Sequence, residues 1–245
     1  MSSTPPPLPA APSKKKNGCL IGCAIAAGIV PILAALLFPA ISAAVDSARA
    51  TAVKQRMHGI WFAIMSANAE REDDDLPPLW PGDLAKQDIT FTTAEDYFTY
   101  LMSDGVNTSV IEPNPEKRLV PRLHPIMFSA HGVPGFEATG VPLPPENNAW
   151  HVVAIYDNSP PEIPFLVSRN AKASDLAHST ADDDGTIALN QKTKPFGSRQ
   201  IVWGRKGGAC MSARSRYATR ARLFPVEKPE DEPALNVLPA QHGFQ

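Results

Sequence analysis

The sequence predicts an α+β protein in which one long N-terminal helix packs on a small antiparallel β-sheet. Three observations carry this. Residues 20 to 70 run without a breaker cluster through alanine-rich, helix-forming sequence. The first half of that run is apolar on every face and the second half is amphipathic. Further on, strand-like segments arrive in two pairs, each around a turn-like connection.

The helix comes first. Between Lys16 and Asp46 lie 29 consecutive residues without a formal charge, and the apolar part runs from Cys19 to Ile41. About 20 such residues suffice to cross a hydrocarbon core. A buried core helix fits poorly, because the run is apolar all round and abuts Lys14, Lys15 and Lys16. A secretory signal fits poorly too, since its apolar region is only about 7–15 residues long. "LIGC" at Leu20–Cys23 looks like a lipobox, yet the apolar segment that should precede the cysteine follows it. Residues 19–41 are therefore expected to be a transmembrane helix half. Lysines and arginines near the two ends tie, Lys14, Lys15 and Lys16 against Arg49, Lys54 and Arg56. The upstream three touch the membrane edge, which favours a cytoplasmic N-terminus.

Residues 42–72 continue as the amphipathic half. Ile41, Val45, Ala48 and Ala52, then Val53, Met57, Ile60 and Ile64, recur at helical spacing, flanked by Trp61 and Met65. The whole helix is expected to run about 75 Å at 1.5 Å per residue. Pro31 and Pro39 each remove a backbone hydrogen bond and are expected kink points, with Gly59 a softer one.

Residues 73–224 read as a β-rich globular domain. "DDDLPPLWPGD" ends the helix. "TTAEDYFTYLMSDG" reads as a short helix, with a Thr-x-x-Glu/Asp start, an apolar face at Tyr97, Phe98 and Leu101, and Gly105 closing it. "AWHVVAIY" and "IPFLVSR" flank "DNSPPE", and "RQIVWGR" and "GACMSAR" flank "KGG", as two hairpins. The two ends, 1–18 and 225–245, are proline-rich and expected to be disordered. Five of the 26 prolines fall in the first twelve residues and four in the tail.

Composition narrows the chemistry. A formal net charge of -2 gives no reason to expect nucleic acid as a partner. Cys210 is the lone cysteine of the globular part and is expected to be a packed thiol, since one cysteine builds neither a disulfide framework nor a zinc site. His58, His124, His131, His151, His178 and His242 show no metal-ligand spacing. Asp182, Asp183 and Asp184 before Gly185 could offer oxygen to calcium, but the alternating spacing of an EF-hand is missing and a solvated acidic turn is favoured. "GRKGGA" lacks the phosphate-loop spacing, and no nucleophile-elbow motif frames a serine. No enzyme activity, cofactor or metal is expected.

"ILAALLFPAISAAVDSARATAVKQRMHGIWFAIMSANAERE" resembles the N-terminal helix of type IV pilins and type II secretion pseudopilins. There too an apolar stretch ending Leu-x-x-Pro-Ala passes directly into an amphipathic spine. "FTTAEDYFTYLMSDGV", "ENNAWHVVAIYDNSPPEIPFLVSRN" and "FGSRQIVWGRKGGA" resemble the globular part of a bacterial subset of prepilin-like proteins. The resemblance implies a pilin-like fold anchored in the bacterial inner membrane with a periplasmic domain. It implies assembly into a short pilus-like filament, with membrane lipid, other pilin-like subunits and inner-membrane proteins of the secretion machine as partners.

It also implies processing by a prepilin peptidase, for which Gly18 and Cys19 are the matching pair. The family's glutamate at the fifth mature position is absent: the cut after Gly18 puts Cys23 there, and alignment on Pro39 puts Gly22 there. That removes a registering charge contact. It fits a minor subunit, or a non-assembling single-pass protein whose extracytoplasmic domain binds a ligand or partner.

Overall fold

The computed structural model describes residues 17–102, 123–136, 141–177, 185–225 and 236–244, with side chains from residue 35 onward in the first helix, apart from 36, 39 and 40. The fold is α+β, with the N-terminal helix packed on a five-stranded antiparallel sheet.

Helix α1 spans Asn17–Asp73. It starts three residues before the expected onset and is continuous through Pro31, Pro39 and Gly59. The chain divides into two compact units, residues 1–47 and 48–245. The first unit contains the opening part of α1, where Leu37, Phe38, Ile41 and Val45 are exposed. Among the described residues no helix is long and apolar enough to cross a membrane; the expected transmembrane half, 19–41, has most of its side chains outside that set.

In the second unit α1 turns one face inward. Ala50, Val53, Met57, Ile60, Ile64 and Ala67 are all buried, at spacings of three and four that keep them on one stripe. Full burial of a Met or Ile side chain contributes about 1.5–3 kcal/mol each, so this stripe is the helix's main hold on the sheet. The packed unit therefore starts within the amphipathic half, earlier than the expected domain boundary at residue 73.

α1 ends in a Schellman-type turn. The Leu76 N–H donates to the Arg71 carbonyl at 2.8 Å, the Asp75 N–H donates to that of Glu72 at 3.1 Å, and Asp75 takes a φ of 55°. Arg71, 2% exposed, turns its Nε to the Pro77 carbonyl at 2.7 Å. A short helix α2, Pro81–Ala85, follows inside the stretch read from sequence only as a breaker. Its Gly82 leaves no room for a side chain: a Cβ there would lie 2.6 Å from the Tyr156 ring.

Helix α3, Ala94–Met102, forms where expected. Thr93 and Asp96 make the capping box, Asp96 N–H to Thr93 Oγ1 at 3.2 Å and Thr93 N–H to Asp96 Oδ2 at 3.1 Å. The expected closing Gly105 lies outside the described residues.

Strands β1 (Trp150–Val153) and β2 (Pro164–Ser168) form the first predicted hairpin, with Trp150 opposite Ser168. After a short helix α4, Ala173–Ala177, strands β3 (Gln200–Arg205) and β4 (Cys210–Arg214) form the second, Gln200 opposite Arg214. Helix α5 spans Arg220–Leu223. The sheet order is β4-β3-β2-β1-β5.

The fifth strand corrects the reading of the tail. Val237–Leu238 form β5 along the outer edge of β1, Val152 opposite Leu238. Val237, Leu238 and Ala240 are buried. Averaged over residues 225–245, prolines and acids hide this short apolar cluster, and no composition argument can see that an open sheet edge awaits it.

Candidate functional site

Three places could carry function: the N-terminal junction, the contact between α1 and the β3–β4 hairpin, and a buried polar cluster beneath the C-terminal tail.

At the junction, Gly18, Cys19, Gly22 and Cys23 all fall within α1, and their side chains lie outside the described residues. The sequence-predicted cleavage pair is thus on the first turns of a helix. No carboxylate stands at either candidate fifth position.

At the second place the tight turn of the β3–β4 hairpin docks on α1. The Trp61 indole N–H donates to the Lys206 carbonyl at 2.6 Å, and the His58 ring stacks on Trp61 with centroids 5.2 Å apart. Gly208, at a φ of 86°, lies so close that a Cβ there would meet the Trp61 ring at 2.8 Å. This position needs glycine twice over, for the left-handed backbone and for the contact. One turn back, Met57 fills the space above Gly204, 2.7 Å from where a Cβ would stand. From sequence, the glycines of "KGG" read as hairpin chemistry alone; their role as a seat for Trp61 needed the fold. Cys210, at the start of β4, is half-buried with its Sγ 3.7 Å from the Gly208 carbonyl. Burial pushes its thiol pKa up, against an opposing pull from Lys54, so it stays a protonated, packed thiol.

The third place was not legible in the sequence. His151, on β1, is fully buried. Its Nδ1 accepts the Ala240 N–H at 2.9 Å, which assigns the proton to Nε2, and Nε2–H points between the carbonyls of Ala171 at 3.0 Å and Arg169 at 3.1 Å. Burial lowers its pKa to about 4, so the ring is neutral near pH 7. With both nitrogens committed to backbone, His151 is a strut and offers no free base.

Glu95, on the first turn of α3, holds the same tail. Its carboxylate accepts the Asn148 side-chain amide at 2.9 Å and the Gln241 N–H at 3.1 Å. Burial raises its pKa, and those hydrogen bonds oppose the rise. Arg169 closes the cluster by donating to the carbonyls of Asn148 at 2.6 Å, Pro145 at 3.1 Å and Lys194 at 3.2 Å. Burial lowers the Arg169 pKa while the charge of Glu95 pulls it back. These polar groups have partners, as buried ones must: His151 and Glu95 clamp the tail at Ala240 and Gln241, the Arg169 carbonyl accepts the Phe244 N–H, and the Arg169 guanidinium ties down the loop at 145–148 beside them. "TTAED" suggested either acid as the cap; the structure gives that role to Asp96 and frees Glu95 for the clamp.

Among the described residues no group of three or more His, Cys, Asp or Glu side chains is placed to hold a metal. The acidic run Asp182, Asp183 and Asp184 lies outside them, as does His178. His124 caps a single 3-10 turn, accepting the Ile126 N–H at 3.3 Å. No known protein family, curated protein or solved structure matches the chain.

Proposed function

We propose that this chain is a structural, pilin-like subunit of a type II secretion or type IV pilus-like assembly, with its N-terminal helix in the bacterial inner membrane and its sheet domain in the periplasm. The observation that carries the reading is the double character of α1. Over residues 50–67 it buries one stripe against the sheet, while Leu37, Phe38, Ile41 and Val45 before it are exposed. An apolar stretch of that length needs cover, and lipid or the helices of other subunits provide it. The basic residues Lys14, Lys15 and Lys16 ahead of Gly18 fit a leader retained in the cytoplasm.

The test is intact-mass measurement of the chain extracted from membranes of cells with and without a prepilin peptidase. The expected mature chain begins at Cys19 when the peptidase is present. A chain starting at Met1 under both conditions would sink the processed-subunit reading.

A second reading draws on one specific observation, the absence of a carboxylate at Gly22 and Cys23. Without that charge an uncut, non-assembling membrane protein would use the same domain to bind a ligand or partner. It calls for an unprocessed N-terminus and no helix-mediated cross-links to other subunits.

A further inference from the structure

On one side the sheet ends at β4. In the order β4-β3-β2-β1-β5, no strand among the described residues lies beyond it. The β3–β4 ladder fixes which backbone groups of β4 face outward. The Arg205 N–H donates to the Ala209 carbonyl at 2.9 Å, and the Ser215 N–H donates to that of Arg199 at 3.0 Å. Bonded and non-bonded pairs alternate along an antiparallel ladder, so Trp203–Met211 and Ile201–Ala213 are the bonded pairs between them. Cys210, Ser212 and Arg214 therefore turn their N–H and C=O groups away from β3. Among the described residues no backbone hydrogen bond reaches them from the outer side.

The side chains of the same three residues point to the α1 face of the sheet. Gly204, opposite Cys210, lies under Met57 of α1, while Trp203 and Met211 alternate to the far face. At one end of the edge, Lys54 of α1 is close enough to Cys210 for its charge to act on the thiol. At the other end stands Arg214, which is exposed. From Cys210 to Arg214 the strand advances about 13 Å, at about 3.3 Å per residue.

Charge selects what can lie along this edge. From Gly185 to Pro225 the sequence holds nine Lys and Arg residues and no Asp or Glu. From Ala48 to Ala69, α1 holds Arg49, Lys54 and Arg56 and again no acid, in a chain whose net charge is -2. Both elements that border the edge are thus cationic. A second copy pairing edge to edge about Ser212 would set Arg214 opposite the partner's Cys210 and beside the partner's Lys54. Like charges would then meet at both ends, which disfavours self-pairing. The same cations attract a strand that carries carboxylates.

We infer that the β4 edge takes an extended acidic peptide as a further, antiparallel strand of the sheet. The peptide backbone pairs with Cys210, Ser212 and Arg214. Carboxylates at two positions four residues apart meet Lys54 and Arg214 on the α1 face, and apolar residues between them extend the far face beside the half-buried Met211. This contact does not depend on filament assembly.

The experiment uses the full-length chain in nanodiscs of zwitterionic lipid and a fluorescent peptide, Thr-Glu-Val-Thr-Val-Glu-Thr, with binding read by anisotropy. Comparison peptides carry Lys for Glu, an N-methyl group on the central Thr, or N-methyl groups on both Val residues. The Glu peptide is expected to bind, and to bind less well as salt rises. N-methylation of the central Thr, whose amide faces Ser212, is expected to weaken it severalfold; N-methylation of the Val residues, whose amides face away, is expected to change it little. Arg214→Glu should weaken the Glu peptide and strengthen the Lys peptide severalfold, a reversal that misfolding does not produce. No binding of the Glu peptide by the wild-type chain overturns the inference and leaves Lys54 and Arg214 as guards of a bare edge. Binding that is indifferent to the position of N-methylation overturns strand addition in favour of a diffuse anionic surface such as lipid headgroups. Self-association of the wild-type chain that Ser212→Pro abolishes overturns it in favour of a second copy.

Discussion

The Ala240 N–H donates to Nδ1 of His151 across 2.9 Å in a fully buried setting. This bond joins the β5–β1 pairing in tying the C-terminal tail to the sheet, and burial keeps the histidine neutral.

A pH dependence of stability follows, with a definite sign. His151 has a folded pKa of about 4, below its ordinary 6.5, so the unfolded chain binds the proton first as pH falls. Its contribution to stability is full above pH 6.5 and is lost progressively between 6.5 and about 4. The span corresponds to at most about 3 kcal/mol. Glu95 acts in the opposite sense. Its raised pKa gives a contribution that is full below its ordinary 4.5 and lost as pH rises through the folded value. Urea denaturation between pH 4 and pH 7 should show falling stability toward the acid side. The slope should flatten in His151→Phe, which loses about 1–3 kcal/mol at pH 7 by leaving the Ala240 N–H unpaired. An unchanged slope in that variant would refute the assignment.

The seat of Trp61 on Gly208 makes a double-mutant prediction. Gly208→Ala places a methyl group against the indole and strains a φ of 86°, and should cost about 1–3 kcal/mol or more. Trp61→Ala should cost about 3–5 kcal/mol at most, less for its partial exposure. The pair should be clearly non-additive, because removing the ring removes the clash. Thermal melts of the four chains give the coupling; strict additivity would place Trp61 elsewhere.

Much of this architecture was legible because it rests on periodicity and turn chemistry. The stripe Val53, Met57, Ile60 and Ile64 is a local pattern, and so are "KGG" and the Thr93–Asp96 box. What could not be read was long-range. The clamp joins Glu95, His151 and Gln241, residues dozens of positions apart, and a buried histidine looks like any other in sequence. Helix α2 was missed because Pro81 and Gly82 read as breakers, while a proline is at home in the first turn of a helix and Gly82 is required by the Tyr156 ring.

Asp75 offers a stabilising change. Its φ of 55° lies in the left-handed region, where glycine carries no side-chain penalty. Relief of a left-handed penalty of about 1–2 kcal/mol outweighs the about 0.4–1 kcal/mol of added freedom in the unfolded chain, so Asp75→Gly should raise stability by about 0.5–1 kcal/mol, and it also removes one carboxylate from the unfavourable end of the α1 dipole. The readout is the denaturation midpoint at low and moderate salt. A fall in stability would mean that the Asp75 side chain supports the turn.

Cys210 should react slowly. Its thiol is half-buried and its pKa is raised by burial, so little thiolate is exposed near pH 7. Alkylation of the peptide carrying Cys210, followed by mass spectrometry, should proceed far faster in denaturant than in the native chain. Equal rates would contradict the packed position at the start of β4.

The tail provides the sharpest test, because composition and structure disagree about it. If residues 236–245 were a dispensable extension, a chain ending at residue 235 would melt like the full one. The structure requires otherwise. Removing them strips β5 from β1, exposes the surfaces that Val237, Leu238 and Ala240 cover, and deletes the donors to His151 and Glu95. The Ala94 N–H loses the Pro239 carbonyl and the Ala173 N–H loses that of Phe244. At about 1.5–3 kcal/mol for each large apolar side chain and about 1 kcal/mol per hydrogen bond, the loss should exceed about 4 kcal/mol. That is a large share of the stability of an ordinary domain. The bared edge of β1 should also promote strand-to-strand association. The expected truncated chain therefore has a strongly lowered melting temperature and aggregates at concentrations where the full chain does not; an unchanged melting temperature would return the tail to the disordered extension its composition suggests.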